Sequence, residues 1–242
     1  MGELFNTYED RERAEAYASL EFPGTYWLAF RDLPALFAMH VTGTRALDFG
    51  CGSGRSTRFL KGLGFDAVGI DISAEMVARA RARDPEGEYL LVGDGDFSAL
   101  GKRRFDLVMC AFPFDNVPTM ERKVGLLRGL GGLLGPRGRV VNLVSSPEIY
   151  VHEWASFSTR DYPENRAAKS GDIVRIVMLD VPDRRPVEDV LWTEESYREA
   201  YALAGLRVVE VARPRGEEGD GREWVSEVGV APWAVWVLGR GE

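Results

Sequence analysis

Between residues 46 and 143 short apolar runs alternate with amphipathic stretches, and no other feature constrains the fold as strongly. Strands separated by crossover helices have to lie parallel in one sheet, so the pattern predicts an open α/β fold. The predicted strands are 46–49, 67–70, 89–92, 105–110 and 139–143; the predicted helices between them are 54–62, 74–83 and 120–133. Ser73 stands where an N-cap belongs, with Glu75 in the first turn that follows.

The flanking segments depart from this alternation. From Tyr8 to His40 apolar residues recur at helical spacing, broken at Phe22-Pro23-Gly24, which predicts two helices. Residues 145–166 are rich in Tyr, Trp, Phe and Ser, and 173–179 with 187–192 read as a strand pair joined by Pro182-Asp-Arg-Arg-Pro186. Thr193 caps a helix that ends at Gly205, and 206–212 and 234–238 are two further strands. The Gly- and Glu-rich stretch 213–222 is expected to be the exposed turn between them.

The stretch Ala46-Leu-Asp-Phe-Gly-Cys-Gly-Ser-Gly54 ends one strand and opens a helix, the setting in which a glycine loop brings backbone close to a ligand. Asp71 ends the next strand in Val68-Gly-Ile-Asp-Ile72, where a carboxylate can accept two hydrogen bonds from a ribose diol or serve as a helix cap. Asp94 follows the third strand in Val92-Gly-Asp-Gly-Asp-Phe97, where a side-chain acceptor would meet an adenine amino group.

With Phe105-Asp-Leu-Val-Met-Cys110 as fourth strand, these signals resemble the motif series of the class I S-adenosylmethionine-dependent methyltransferases over about residues 45–143. The resemblance implies a Rossmann-like, doubly wound seven-stranded sheet with an antiparallel last strand, an N-terminal helical cap and an inserted strand pair after strand five. It implies one domain, divided as cap 1–43, cofactor-binding half 44–144, substrate lid 145–192 and C-terminal helix with strand pair 193–242. S-adenosylmethionine is the implied cofactor, with Asp48, Gly50, Cys51, Gly52, Asp71, Ile72, Asp94, Gly95, Ala111 and Tyr26 as its binding residues. Leu134-Gly-Pro-Arg-Gly138 fits the family's turn before strand five more loosely, with Arg137 where a glycine often stands. A nicotinamide- or flavin-binding domain is the alternative fold, but its fingerprint wants a glycine where Arg55 stands and has no place for Asp48 or Asp94. A non-catalytic S-adenosylmethionine sensor is the alternative function.

Enzymes of this family that methylate nucleic-acid bases carry a polar residue and two prolines after strand four, and Ala111-Phe-Pro-Phe114 lacks the polar residue and the first proline. The net charge of −8 also opposes nucleic acid and anionic membranes, so a small-molecule acceptor is expected. The resemblance places Tyr17, Phe22, Tyr26, Trp27, Phe112, Tyr150, Trp154 and Phe157 over the carboxyl ends of the strands, where they would either contact that acceptor or fill core. A hydroxyl or ammonium acceptor needs a base, and His152 in the segment after strand five is the candidate; a carboxylate acceptor needs none. His40 reads as a helix C-terminal residue, and Asp115-Asn116 as a substrate-orienting pair or the start of a turn.

Two His and two Cys exclude a disulfide framework and leave almost nothing for a zinc site, so no metal is expected, and Cys51 and Cys110 read as small packing residues. The N-terminus lacks the pattern of a secretory signal, Asn6 breaks a myristoylation signal, and the apolar stretch 228–238 is too short to span a bilayer and contains Pro232. A cytoplasmic protein is expected, and the sequence is compatible with a homodimer without requiring one.

Overall fold

The alternating segments build the sheet that their periodicity predicts, in a computed structural model that describes residues 22–241. Strands β1 (Arg45–Phe49), β2 (Asp66–Asp71), β3 (Glu88–Leu91), β4 (Phe105–Ala111) and β5 (Leu134–Ser145) run parallel. After β5 comes a small antiparallel sheet of β6 (Phe157–Ser158), β7 (Ile173–Met178) and β8 (Val187–Val190), one short strand more than the expected pair. The main sheet is completed by β9 (Leu206–Ala212) and β10 (Trp233–Arg240), giving the order β3-β2-β1-β4-β5-β10-β9 with β10 antiparallel to both neighbours. Between β1 and β4 the strand order reverses direction, which leaves a crevice at the carboxyl ends of the strands.

Both faces of the sheet are covered, so its central strands are apolar almost throughout. In β10 only Arg240 is exposed: Trp233, Val235 and Val237 enter one core, and Ala234, Trp236 and Leu238 the other. Helices α1 (Gly24–Arg31), α2 (Leu33–His40) and α3 (Arg55–Gly62) pack on the first face, whereas α4 (Ala74–Arg83) lies beside β3. On the second face α5 (Met120–Gly132) and α6 (Glu194–Leu203) bury Leu127, Leu130, Tyr197 and Tyr201. Ser73, Thr119 and Thr193 cap α4, α5 and α6, each side chain accepting from a backbone amide three residues on.

Two expectations at the periphery change. The helical segment after Phe22 is two helices, because Pro34 has no N–H to carry α1 past Asp32 and instead sits in the first turn of α2. The helix expected from Tyr8 lies outside the described residues. The stretch 213–222 is part of a longer connection that folds back onto α1: Asp220 pairs with Arg31, Trp224 stacks on Trp27, and the fully buried Glu227 accepts from the Thr25 hydroxyl at 2.6 Å. Thr25 also exchanges hydrogen bonds with Ser156 at 2.8 and 3.0 Å, and its carbonyl accepts from Trp233 Nε1 at 2.9 Å. The N-terminal helices, the segment after β5 and the start of β10 are thereby tied into one block above the crevice.

Candidate functional site

The glycine loop begins where β1 ends. Gly50, Gly52 and Gly54 all have positive φ, at 70°, 52° and 83°, so the loop can turn sharply before α3 starts at Arg55. A Cβ on Gly50 would stand 2.6 Å from the Pro113 Cβ, which makes this glycine obligatory for the close approach of the loop to the end of β4. Gly50 and Cys51 both donate to the Ile70 carbonyl, at 2.9 and 3.0 Å. Asp71 at the tip of β2 accepts from Gly52 N and Ser73 N, both at 2.8 Å, and burial raises its carboxyl pKa. Its capping and loop-holding contacts occur together, so the two sequence readings of Asp71 are compatible.

A cavity of about 260 Å³ opens over this loop and runs across the carboxyl ends of the five parallel strands. Gly50, Cys51, Gly52, Asp71, Ile72, Asp94, Gly95, Ala111 and Tyr26 all line it, as expected of a ligand site at the strand ends. Ile72 is 42% exposed, an apolar side chain presented to the cavity near Met76 and Val92 and suited to lie under a flat ring. Asp94 is held in an ion pair by Arg122 of α5, a partner 28 residues on that no local pattern points to.

Asp48 does not line the cavity. It is fully buried beneath the loop, where one carboxylate oxygen accepts from Ser56 and Thr57 hydroxyls at 2.6 Å each, while the other has no protein partner. Burial pushes its pKa up to about 6 against the pull of those two hydrogen bonds. Asp48 therefore fixes the start of α3 against β1, and the expectation of direct cofactor contact is corrected accordingly.

The other end of the cavity is aromatic and acidic. Phe112, φ 70°, is the one non-glycine residue with positive φ among the described residues, and its ring meets Trp233 at 4.8 Å and Tyr26 at 5.9 Å between centroids. An L-residue in that conformation is strained, and the strain lies on the cavity wall. Phe157 packs edge-on to Tyr26 and Trp233, and Tyr150 donates its hydroxyl proton to Asp189 at 3.0 Å. Asp115 lies within the short turn Pro113–Asn116 and also lines the cavity, accepting from Ser145 N at 3.1 Å. Behind it lies Lys123, fully buried, which donates to the Phe114 carbonyl at 2.7 Å and is boxed by the rings of Phe114, Trp192 and Tyr197. Tyr197 links the two charges, donating to Asp115 at 3.4 Å and accepting from Lys123 at 3.5 Å. Burial raises the Asp115 pKa and lowers that of Lys123, and their mutual attraction works against both shifts.

Several expected contacts are absent from the cavity. His152 is exposed, pairs with Glu148 at 3.0 Å, and borders a separate surface pocket with Arg160 and Tyr162, so it is not placed to act as base. Trp154 is buried in the core with Nε1 donating to the Ile149 carbonyl at 2.8 Å. Phe22 packs on Phe30 and Phe59, and Trp27 on Trp224 with Arg31 and Arg222 over its ring. Tyr17 lies outside the described residues. Asp189 and Trp233 are among the wall residues that sequence reasoning missed, as are Met76, Arg122, Ile176 and Met178, and no local pattern distinguished them. His40 ends α2 as expected, at 2.5 Å from Glu210.

Residues 47–142 match a family described as "Methyltransferase domain". Over 84 residues the chain is 33% identical to the ubiquinone biosynthesis O-methyltransferase of Burkholderia orbicola (strain MC0-3), a match covering 33% of this chain and 36% of that protein. The chain thus spans less than half the length of the curated relatives it matches. The CcbJ methyltransferase from Streptomyces caelestis superposes with a TM-score of 0.67 at 17% identity, over 95% of this chain and 96% of that one. An S-adenosylmethionine-dependent methyltransferase from Clostridium acetobutylicum ATCC 824 gives 0.62 at 12% identity, over 98% and 97%. At such identities the likeness establishes the fold.

Proposed function

Residues 47–142 form a methyltransferase domain on the class I, S-adenosylmethionine-dependent fold, and from this premise we propose that the protein moves a methyl group from S-adenosylmethionine to an oxygen, nitrogen or carboxylate of a small molecule. The observation that carries the reading is one continuous cavity with two chemically distinct ends. The residues of the first end fit the cofactor: Asp71 for a ribose diol, Ile72 and Met76 for the adenine face, Asp94 and Gly95 for its edge, and the glycine loop for close backbone approach. When bound, the cofactor supplies an electrophilic methyl carbon on a sulfonium.

The chain's own part is alignment and exclusion of water. Residues 44–144 supply the cofactor end, and residues 145–192 with α1 roof the other end through Tyr26, Tyr150 and Phe157. A roof of this kind supports a small acceptor over a polynucleotide. Within the same proposal the protein works in the cytoplasm, as a monomer or a homodimer, and not on nucleic acid; its two cysteines, both free and buried, fit a reducing compartment.

Calorimetry with S-adenosylmethionine and with NADH, followed by assay of S-adenosylhomocysteine release with candidate acceptors, tests the reading. Binding of S-adenosylmethionine with acceptor-dependent release is expected. Preferential binding of NADH overturns it, and binding without release for any acceptor favours the sensor.

A further inference from the structure

Three rings of the cavity wall share one anchor. Tyr26, Phe157 and Trp233 come from α1, the start of β6 and the start of β10, and their centroids lie 5.1–5.8 Å apart. Each is joined to Thr25. Tyr26 follows it in the chain. Phe157 follows Ser156, whose backbone amide donates to Thr25 Oγ1 at 3.0 Å and whose hydroxyl accepts from Thr25 N at 2.8 Å. Trp233 donates from Nε1 to the Thr25 carbonyl at 2.9 Å. The approach of α1 to Ser156 needs glycine at position 24, where φ is 44° and a Cβ would stand 2.2 Å from Ser156 Oγ. Behind Thr25 stands the fully buried Glu227, whose carboxylate accepts from the Thr25 hydroxyl at 2.6 Å and from Ala155 N and Val225 N at 2.8 Å each. A carboxylate without water must have its acceptors filled by the chain, so Glu227 holds α1, the segment before β6 and the β9–β10 connection at fixed spacing.

Resting on the methyltransferase reading above, we propose that Glu227, acting through Thr25, is a positioning residue for the methyl acceptor: it sets the spacing of Tyr26, Phe157 and Trp233, the rings against which the acceptor lies. Glu227, Thr25 and Ser156 themselves do not line the cavity, so they act on a bound molecule only through those rings. The glycine loop and Asp71 are held differently, by bonds among β2, its tip and the loop after β1: Gly50 N and Cys51 N to the Ile70 carbonyl, and Gly52 N and Ser73 N to the Asp71 carboxylate. Disturbing the anchor therefore alters the acceptor wall and spares the end proposed for the cofactor. Tyr26 is also held from the other side, with the Arg55 guanidinium over its ring at 5.1 Å. The influence of Glu227 is for that reason read most directly at Trp233, whose indole nitrogen is bonded to Thr25 itself.

The test uses the full-length protein loaded with S-adenosylhomocysteine, with 2-naphthol as a flat, uncharged probe of the aromatic wall, both affinities being measured by calorimetry. Thr25→Val keeps the shape of the side chain and removes the hydroxyl that Glu227 holds; Thr25→Ser keeps the hydroxyl; Glu227→Gln keeps one acceptor oxygen. Thr25→Val is expected to weaken 2-naphthol about fivefold or more while S-adenosylhomocysteine stays within about twofold, which also shows that the variant is folded. Thr25→Ser should restore 2-naphthol binding to within about twofold, and Glu227→Gln should fall between the two. In protein labelled with 5-fluorotryptophan, the fluorine resonance of Trp233, identified by its loss in Trp233→Phe, should shift in Thr25→Val, whereas that of Trp236, which enters the other core, stays in place. Equal losses for both ligands, an unmoved Trp233 resonance, or no rescue by Thr25→Ser overturns the proposal, as does failure of the unmodified protein to bind 2-naphthol; methyl transfer is left intact by each. Failure of the unmodified protein to bind S-adenosylhomocysteine would instead overturn the methyltransferase reading on which it rests.

Discussion

The Asp71 carboxylate holds the Gly52 backbone amide at 2.8 Å, tying the tip of β2 to the loop that follows the neighbouring strand β1. Its other oxygen holds Ser73 N, so one side chain fixes the glycine loop and the start of α4 together. Asp71→Ala removes both contacts and the proposed diol acceptor. Calorimetry should show S-adenosylmethionine binding weakened by about 1–3 kcal/mol, the range for charge-assisted hydrogen bonds. Unchanged affinity would remove Asp71 from the cofactor site.

Asp48 gives a pH-dependent prediction. Its pKa is raised from 3.8 to about 6 in the folded protein, so the folded state disfavours the charged form. The stability associated with this group is full below pH 3.8 and is lost as pH rises through about 6, a change on the order of 3 kcal/mol. Asp48→Asn carries no charge to bury. Its melting temperature relative to the unmodified protein should therefore rise by several degrees between pH 4 and pH 7.5. A difference that stays flat over this range would show that the buried carboxylate carries no such cost.

Lys123 and Asp115 form the second buried pair. Lys123→Met leaves Asp115 buried without its balancing charge and should cost about 3–5 kcal/mol in urea denaturation. Adding Asp115→Asn should recover a large part of that loss, because the unpaired charge goes with it. Additive losses in the double variant would show that the two residues act independently.

His152 lies outside the cavity, where it pairs with Glu148 and packs edge-on to Trp154. His152→Ala should leave turnover and cofactor affinity within about twofold, and stability within roughly 1 kcal/mol. A fall in turnover of tenfold or more, measured with the true acceptor, would restore the histidine to the mechanism.

The end of the cavity proposed for the cofactor was legible because its signals are short-range. Gly50, Cys51 and Gly52 follow directly on β1, Asp71 ends β2 with Ile72 after it, and Asp94 and Gly95 stand shortly after β3, so finding the strands found this wall of the cavity. Even there the sequence could not separate Asp71, on the wall, from Asp48, beneath it, because strand register and helix packing decide which carboxylate faces the cavity. Among the aromatics composition was informative and placement was not. Tyr26, Phe112, Tyr150 and Phe157 reach the cavity, whereas Phe22, Trp27 and Trp154 find partners elsewhere.

The sequence by itself determined the parallel sheet, the glycine loop and the acidic tips of its strands, since apolar periodicity and turn chemistry act over a few residues. Only the tertiary structure decided the aromatic and acidic end of the cavity. Tyr26, Asp115, Tyr150, Asp189 and Trp233 come from five separate segments and meet solely through long-range packing of α1, the β6–β8 sheet and β10 over the crevice. Their convergence, and the exclusion of His152 from it, arise from which faces the two cores bury, and no local pattern encodes that choice.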